Sequence, residues 1–295
     1  MSASQSDCSL RELMHNPVAW SYPLRLAPTA WITHVPFAMV LIDVLRPRTF
    51  VELGTYYGVS FCAFCQAVES KCIHTKCYGI DKWTGDSQMG AIEVDVLRDL
   101  REYVEPLYGN FARLIQSDFR EALVHFEDGS IDLLHIDGFH TYDAVKKDFE
   151  SWRPKLSSRG VVLLHDTNVR ERDFGVWKYW NELKQQYRCF EFTHGHGLGV
   201  LLTGSECPDA LRCLMDAPEA TQSMVQKYFY RLGNGIESHQ RAVLLEKTVL
   251  HQTNDIRTLL ERQKHWTIRI ILALLTYGPI EFALHGLAKI RNLRS

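Results

Sequence analysis

Short apolar runs alternate with amphipathic stretches between residues 48 and 204. The apolar runs are rich in β-branched and aromatic side chains and therefore predict strands, at residues 49–53, 77–80, 111–115, 131–136 and 160–165. The stretches after them predict helices, at residues 60–68, 91–104, 119–126 and 142–152. Strands that alternate with helices pair in parallel through crossover connections, so the pattern predicts an α/β fold.

Two further strand-like runs, residues 187–193 and 197–203, are separated only by the linker His194-Gly-His-Gly197. A linker this short predicts a hairpin. We therefore expect an antiparallel strand at the end of an otherwise parallel sheet.

The flanking segments predict helices without strands. Residues 1–47 predict a helical lead-in or cap that prolines interrupt, and residues 205–295 predict a helical extension with a break at residues 233–235 (Gly-Asn-Gly). The chain is thus expected to consist of a lead-in at 1–47, an α/β domain at 48–204 and an extension at 205–295.

The extension has two notable parts. Residues 236–264 carry apolar side chains at heptad a and d positions, with Gln252 in one d position: Ala242, Leu245, Val249, Ile256 and Leu259. This pattern is typical either of a coiled-coil homodimer or of a helix that packs on its own domain. Residues 266–295 are apolar and end in basic residues, but Pro279 and Glu281 interrupt a membrane span. A C-terminal docking helix is favoured there over peripheral contact with the inner face of a membrane.

Composition restricts the class of protein. The chain has 295 residues, of which 46% are hydrophobic, as is typical of a packed protein. It has 33 Lys and Arg and 35 Asp and Glu, a charge balance that gives no case for nucleic-acid binding. The N-terminus lacks the pattern of a secretion signal, and eight dispersed cysteines indicate a reducing, cytoplasmic compartment. Cys62 and Cys65, followed by Cys72 and Cys77, have the spacing of a possible zinc site. Because the first pair falls inside a predicted helix, buried core thiols are favoured over zinc.

Acidic residues lie in or directly after the predicted strands, near their carboxyl ends, where open α/β sheets bind ligands. They are Glu52, Asp81, Asp118, Asp137 and Asp166. Asp118 is also a candidate helix N-cap. Gly54-x-x-x-Gly58 lacks both the dinucleotide and the P-loop pattern, while Asp81 suits both hydroxyls of a ribose. These features indicate a cofactor that contains a nucleoside and is bound without a pyrophosphate-binding loop.

A second cluster indicates catalysis. Asp137 and Asp166 end neighbouring predicted strands, so their carboxylates can share a divalent cation such as Mg²⁺, Mn²⁺ or Ca²⁺. His140, three residues after Asp137, is a candidate base for a substrate hydroxyl, with a loop hydrogen-bonding role as the alternative. His135 and His165 precede the strand-end acids and are expected to face away from them and to serve in packing.

The motifs Phe50-Val-Glu-Leu-Gly-Thr-Tyr-Tyr-Gly58, Tyr78-Gly-Ile-Asp81, His135-Ile-Asp-Gly-Phe-His-Thr-Tyr142 and Gly160-Val-Val-Leu-Leu-His-Asp-Thr167 together resemble a known family. They are similar to those of class I S-adenosylmethionine-dependent methyltransferases, and most similar to bacterial sugar and small-molecule O-methyltransferases with an Asp-Gly-x-His-x-Tyr motif. The resemblance covers residues 30–204. It implies a Rossmann-like, doubly wound sheet of seven strands with an antiparallel last strand.

The resemblance also implies a set of site residues. Those assigned to S-adenosyl-L-methionine are Glu52, Gly54, Thr55, Tyr57, Gly58, Ser60, Asp81, Lys82, Trp83, Asp118, Phe119 and Asp137. Asp137, Asp166 and Thr167 would hold Mg²⁺ or another divalent cation, with Asn168 as an alternative third ligand. His140, together with Asp137, would be catalytic.

The implied activity is methyl transfer to a hydroxyl of a sugar, glycan or secondary metabolite. A metal-independent or nitrogen-directed methyltransferase, or an inactive cofactor-binding scaffold, remains as an alternative. The pocket for the methyl acceptor is expected to be walled by Trp31, His34, Phe37, Trp83 and residues 170–177.

Overall fold

The computed structural model describes residues 10–85 and 95–281. Within these ranges the strands are β1 (Thr49–Leu53), β2 (Lys76–Asp81), β3 (Ala112–Gln116), β4 (Ile131–Ile136), β5 (Leu156–His165), β6 (Arg188–Phe192) and β7 (Leu198–Leu202). The α-helices are α1 (Val35–Leu45), α2 (Val59–Ser70), α3 (Val96–Tyr108), α4 (Phe119–Ala122), α5 (Tyr142–Trp152), α6 (Val176–Leu183), α7 (Asp209–Met215) and α8 (Glu219–Glu281). Short 3₁₀ helices lie at Pro17–Trp20, Ala30–His34, Leu123–His125 and Arg153–Lys155.

The seven strands form one sheet in the order β3-β2-β1-β4-β5-β7-β6. Strands β1 to β5 pair in parallel, while β7 is antiparallel to both β5 and β6. This confirms the predicted α/β fold and the reversed last strand. The reversed strand does not form the edge, however, because β7 lies between β5 and β6.

Apolar side chains of the central strands alternate between the two faces of the sheet. Phe50 and Leu133 belong to a core cluster that contains α1, α2 and α3, whereas Val51 and Leu134 belong to a second cluster that contains α5 and α6. Every residue of β4 is buried, because helices cover both faces. This explains why the strand reads as an apolar run with few polar positions.

Helix α3 begins later than predicted. Its first residue is Val96, and the side chain of Asp95 accepts a hydrogen bond from the Arg98 backbone N–H, as an N-cap residue does. The earlier part of the predicted helix, residues 91–94, lies outside the described residues. Strand β5, in turn, begins four residues earlier than predicted, with Leu156 paired to Ile131.

The predicted break at residues 233–235 is wrong, because α8 runs without interruption from Glu219 to Glu281. A Cβ atom on Gly233 would lie only 2.1 Å from the carbonyl oxygen of Thr33. The glycine therefore permits close contact between α8 and the 3₁₀ helix at Ala30–His34, rather than ending the helix.

The chain divides into two units, Met1–Ser238 and His239–Ser295. In the second unit the described residues are helical, and Leu245, Val249, Ile256 and Leu259 are each more than half exposed. None of the helices in the described part of the chain is both long enough and apolar enough to cross a membrane. The basic residues of the predicted amphipathic end, beyond residue 281, lie outside the described residues.

Candidate active site

A cavity of about 720 Å³ lies at the carboxyl ends of β1 to β5, where the strand order reverses between β1 and β4. Most of the predicted site residues line it: Gly54, Thr55, Tyr57, Gly58, Ser60, Asp81, Lys82, Asp118, Phe119, Asp137, His140 and Asp166. The sheet therefore brings together side chains that follow five different strands.

Glu52 lies beneath the cavity and is fully buried. The indole N–H of Trp31 donates to Nε2 of His135, 3.2 Å away, so the other ring nitrogen, Nδ1, carries the proton and donates to Oε2 of Glu52 at 2.8 Å. Burial raises the pKa of Glu52, although the hydrogen bond from His135 opposes that rise. His135 is fully buried, as predicted, but it does not face away from the acids, because it hydrogen-bonds to Glu52. Its other hydrogen-bond partner, Trp31, lines the cavity.

The loops after β1 and β4 are in close contact. Gly54 has a φ of +91°, and a Cβ atom there would lie 2.0 Å from the carbonyl oxygen of Asp137. Only glycine fits this position, because any side chain would be strained and would collide with the neighbouring backbone. Its absence of a side chain brings the two loops together and leaves space for a ligand above them.

Asp81 is held firmly at the end of β2. Its Oδ2 accepts from the Tyr56 backbone N–H at 2.9 Å, and its Oδ1 accepts from the Trp83 backbone N–H at 2.8 Å. The Trp83 ring is buried and donates through Nε1 to the carbonyl oxygen of Tyr56. Trp83 thus fixes the loop that carries Asp81, while Thr84 and Gly85 line the cavity beside it.

Asp118 caps the helix that follows β3. Its Oδ1 accepts from the Arg120 backbone N–H at 2.9 Å, and its Oδ2 lies 2.8 Å from the ammonium group of Lys82. The hydrogen bond from Lys82 holds the pKa of Asp118 below its usual value. This confirms the N-cap prediction and places a paired carboxylate next to Phe119.

Asp137, His140 and Asp166 converge on one wall of the cavity, with one potential ligand atom from each lying within 4.8 Å of the others. Nε2 of His140 is 3.0 Å from Oδ2 of Asp166 and 3.9 Å from Oδ1 of Asp137. The imidazole of His140 also stacks on the ring of Phe174, at a centroid distance of 4.6 Å. This is the grouping predicted for catalysis and cation binding.

The prediction that His165 faces away from the acids is wrong. Its Nδ1 lies 3.2 Å from an oxygen of Asp137 and 3.2 Å from an oxygen of Asp166, and its Nε2 donates to the carbonyl oxygen of Gly195 at 2.9 Å. The reason is the backbone of Asp166, whose φ of +61° lies outside the β region. The alternation of side chains between the two faces of the sheet therefore ends at this residue. His196, from the β6–β7 linker, adds a further imidazole, with Nδ1 3.0 Å from Asp166.

These close contacts determine the charge of the cluster. Burial alone would raise the pKa values of Asp137 and Asp166, but the histidines outweigh it and hold both well below their usual range. Conversely, the two carboxylates raise the pKa of His140 to about 9, against the opposing effect of burial. Without a cation between the acids, His140 is therefore protonated at neutral pH.

A divalent cation fits this cluster, because carboxylate oxygens and imidazole nitrogens converge within ligand distance. The predicted third ligand, Thr167, is fully buried, and its Oγ1 has no hydrogen-bond partner among the described residues. The alternative, Asn168, donates through its amide nitrogen to the carbonyl oxygen of Thr193. The assignment of Thr167 as third ligand stays a prediction. The imidazoles of His140 and His165 also lie beside the two acids, so nitrogen donors are available there as well.

The predicted acceptor walls are only partly correct. Trp31 and Phe174 line the cavity. Phe37 does not, because it is fully buried against Phe192 and Phe229, and the prediction for it is wrong. His34 is also buried, where desolvation lowers its pKa, and it stacks on the ring of His194.

The predicted burial of Cys62 and Cys65 is confirmed, whereas Cys72 is exposed. Cys62, Cys65 and Cys77 are buried in the core, and burial raises the pKa of the thiols of Cys62 and Cys65. Among the described residues, the group of acids, histidines or cysteines that could hold a metal ion is formed by Asp137, His140 and Asp166.

Asp148 is a site residue that the sequence did not reveal. It lies on α5, is 8% exposed and lines the cavity. Burial, and next the charge of Asp118, raises its pKa to about 7. Asp148 lies in the second turn of this helix. That it faces the cavity depends on how the helix docks on the sheet, which the sequence pattern does not show.

Residues 51–167 match a family described as "Methyltransferase domain". The matched segment begins in β1, ends just after Asp166, and so contains Asp81, Asp137 and His140. This segment is therefore similar to a methyltransferase domain, which agrees with the resemblance to methyltransferases. The narrower resemblance to sugar and small-molecule O-methyltransferases stays a prediction.

Similar proteins were also found by sequence and by structure. An uncharacterized protein, y4gI, of Sinorhizobium fredii (strain NBRC 101917 / NGR234) is 42% identical over 243 residues, or 80% of this chain and 27% of that protein. This chain thus spans about a quarter of that relative's length. The calicheamicin methyltransferase CalS11 superposes with a TM-score of 0.49 at 16% identity, covering 69% of this chain and 94% of that chain. The S-adenosylhomocysteine-bound methyltransferase PaMTH1 of Podospora anserina has a TM-score of 0.42 at 15% identity, covering 68% and 96%.

Proposed function

We propose that this protein is an S-adenosylmethionine-dependent O-methyltransferase that uses a divalent cation. The acceptor is a hydroxyl of a sugar, a glycan or a secondary metabolite. The observation that carries the proposal is the convergence of Asp137, His140 and Asp166 on one wall of the cavity in the methyltransferase domain.

The cofactor half of the cavity supports this proposal. S-adenosylmethionine supplies a methyl group on a sulfonium sulfur, which a nucleophile removes directly. Gly54 leaves room for the amino-acid part of the cofactor, and Asp81 presents a carboxylate that two backbone N–H groups hold in place for the ribose hydroxyls. Asp118 and Phe119 border the region assigned to the adenine.

The cation would be held by Asp137 and Asp166, with imidazole nitrogen completing the donor set. When bound, such an ion lowers the pKa of a coordinated hydroxyl and stabilises the oxyanion. Nδ1 of His165 faces both acids while its Nε2–H is hydrogen-bonded to a backbone carbonyl, as is usual for histidines that bind metals. Nitrogen donors favour Mn²⁺, Fe²⁺, Co²⁺ or Zn²⁺ over Mg²⁺.

His140 would take the proton of the acceptor hydroxyl. Its ring borders both the cavity and the two acids, and Phe174 holds the plane of the ring by stacking. With Asp137 and Asp166 engaged by a cation, His140 would lose the contacts that raise its pKa and would be a neutral ring that can accept a proton. Positioning the hydroxyl between this ring and the methyl group is the main contribution of the fold.

The proposal is tested by measuring S-adenosylhomocysteine formation from S-adenosylmethionine with a panel of hydroxylated sugars, glycans and phenols. We expect turnover with at least one class of hydroxyl acceptor, loss of turnover in excess EDTA, and a decrease of at least about 100-fold in His140→Gln. His125→Gln, an exposed histidine outside the cavity, is the matched control.

Other outcomes separate the alternatives. Turnover that EDTA leaves unchanged would contradict the role of the cation and support a metal-independent enzyme. Methylation of amines but not of hydroxyls would contradict the proposed acceptor. Binding of the cofactor without turnover on the whole panel would support the inactive scaffold.

A further inference from the structure

The side chain of Asp148 presents a carboxyl group at the wall of the cavity. The residue lies on α5, is 92% buried and lines the cavity. Within the described parts of the chain, no hydrogen bond or ion pair involves its carboxyl oxygens. Its oxygens are therefore available to a group that binds in the cavity.

The surroundings of Asp148 place it at one end of the cavity. A Cβ atom built on Gly138 would lie 3.5 Å from Oδ2 of Asp148 and 2.5 Å from the ring of Phe119. These three groups therefore border the same small space. Helix α5 also packs on α4, and the charge of Asp118 is close enough to raise the pKa of Asp148.

Asp118 and Phe119 follow β3, while Gly138 lies in the loop after β4. The Phe119 ring and Oδ2 of Asp148 both lie beside Gly138, so these side chains border one part of the cavity. A group bound between them lies where the proposed function puts the nucleoside.

We propose that Asp148 recognises the amino edge of the cofactor's adenine, an inference that rests on the proposed methyltransferase function. The 6-amino group of adenine donates hydrogen bonds and the neighbouring ring nitrogen accepts one. A neutral carboxyl group matches both, because its hydroxyl donates and its carbonyl oxygen accepts. The aromatic ring of Phe119 is at hand to contact the face of the same base.

The other acid at this end is less suited to that role. Both oxygens of Asp118 already accept hydrogen bonds, one from the Arg120 backbone and one from Lys82, so this carboxylate is ionised and occupied. The pKa of about 7 for Asp148 means, by contrast, that a large share of its carboxyl groups are protonated near neutral pH. The base would supply Asp148 with the partner that the protein does not.

The inference is tested with two ligands, S-adenosylhomocysteine and its analogue with purine in place of adenine, which lacks only the 6-amino group. Their dissociation constants are measured by calorimetry for the wild type, Asp148→Ala and Asp148→Asn. Asp143→Asn, an exposed acid in the first turn of the same helix, is the matched control. Thermal unfolding of each variant verifies that it is folded, which we expect because the carboxyl group has no partner to lose.

We expect the wild type and Asp143→Asn to bind S-adenosylhomocysteine at least about 10-fold more tightly than the purine analogue. In Asp148→Ala that preference should fall to less than about 2-fold, because the variant lacks the carboxyl group that would hydrogen-bond to the 6-amino group of adenine. A preference that persists in Asp148→Ala, or a wild type without preference, overturns the inference and leaves the proposed function intact. Failure of the wild type to bind either ligand overturns the proposed function, and the inference with it.

Discussion

The Nδ1 atom of His165 lies 3.2 Å from the Oδ2 atom of Asp166, the next residue in the chain. Consecutive side chains of a regular strand point to opposite faces, so this contact requires an interruption of the strand. The interruption is the φ of +61° at Asp166, an unfavourable conformation for a residue with a side chain. The strained residue thus gives the acidic pair an imidazole partner.

The imidazole beside the acids leads to a prediction on metal selectivity. Metal-free protein should bind Co²⁺ or Mn²⁺ at least about 10-fold more tightly than Mg²⁺ in calorimetric titrations, because nitrogen ligands favour these ions. His165→Asn should lose most of this preference, whereas His125→Asn, a surface histidine, should keep it. Equal affinity for Mg²⁺ and Co²⁺ in the wild type would show that His165 serves only as a hydrogen-bond partner of the acids.

A comparison of Gly54 with Gly129 separates two reasons why a glycine stabilises a fold, namely relief of backbone strain and avoidance of a steric collision. Both have positive φ values, +91° and +69°, but a Cβ atom on Gly54 would meet the Asp137 carbonyl, whereas one on Gly129 would meet nothing within 4 Å. We expect Gly129→Ala to cost about 1 kcal/mol of unfolding free energy, from backbone strain alone. Gly54→Ala should cost on the order of 3 kcal/mol or more, because the collision is added to the strain.

Urea denaturation of the two variants measures these costs. Equal costs would mean that the loops after β1 and β4 separate easily. In that case the contact between Gly54 and Asp137 would not be what holds this part of the cavity in shape.

The buried carboxyl group of Asp148 predicts a pH dependence of stability. In the unfolded chain an Asp ionises near pH 3.9, but in the folded protein Asp148 ionises near pH 7. Between these values the folded state binds more protons than the unfolded state, so stability decreases as the pH rises. Asp148→Asn removes this titration, and its advantage over the wild type should grow from pH 4 to pH 8, toward about 4 kcal/mol at most.

Thermal unfolding across this pH range, without ligand, measures the difference. Asp143→Asn should follow the wild type, since that side chain is exposed. A difference between Asp148→Asn and the wild type that stays constant with pH would show that the carboxyl group ionises normally in the fold.

The sequence correctly predicted those elements whose first and last residues are determined by neighbouring residues in the chain. Strand β4 has the predicted bounds because its apolar run ends at a charged residue, and α5 begins where the side chain of Thr141 accepts from the Ala144 backbone N–H. The grouping of Asp137 with Asp166 was predictable as well, because parallel strands bring their carboxyl ends to one edge.

The remaining features depend on tertiary contacts. Gly233 resembles a helix breaker in the sequence, but it is needed where α8 passes the backbone of Thr33. The direction of His165 depends on a backbone angle of the following residue, and the burial of Asp148 depends on how α5 docks on the sheet. No periodic pattern in the sequence carries that information.

The exposed seam of the second unit predicts association with a second copy of the chain, which we propose as a parallel coiled coil. Val249 and Ile256 occupy a positions and Leu245 and Leu259 occupy d positions, the arrangement that favours two strands. In such a dimer Arg241, at a g position, would face Glu246 of the second copy, at an e position.

Light scattering at micromolar concentration should therefore give a mass of twice 34.1 kDa. A charge at the seam, in Ile256→Asp, should shift the protein toward the monomer, while Asn254→Asp at the outward f position should not. A monomeric wild type, or a dimer that Ile256→Asp does not weaken, would contradict the coiled coil.

The measurement that most directly tests the assignment of the cavity is calorimetric titration of the protein with S-adenosylhomocysteine, repeated on Asp81→Ala and Asp81→Asn. We predict micromolar binding by the wild type and by the surface control Asp143→Ala. Binding should weaken at least about 100-fold in Asp81→Ala, because the ribose hydroxyls lose their acceptor. Absence of binding to the folded wild type, or equal binding by Asp81→Ala, would contradict the claim that this cavity holds the methyl donor.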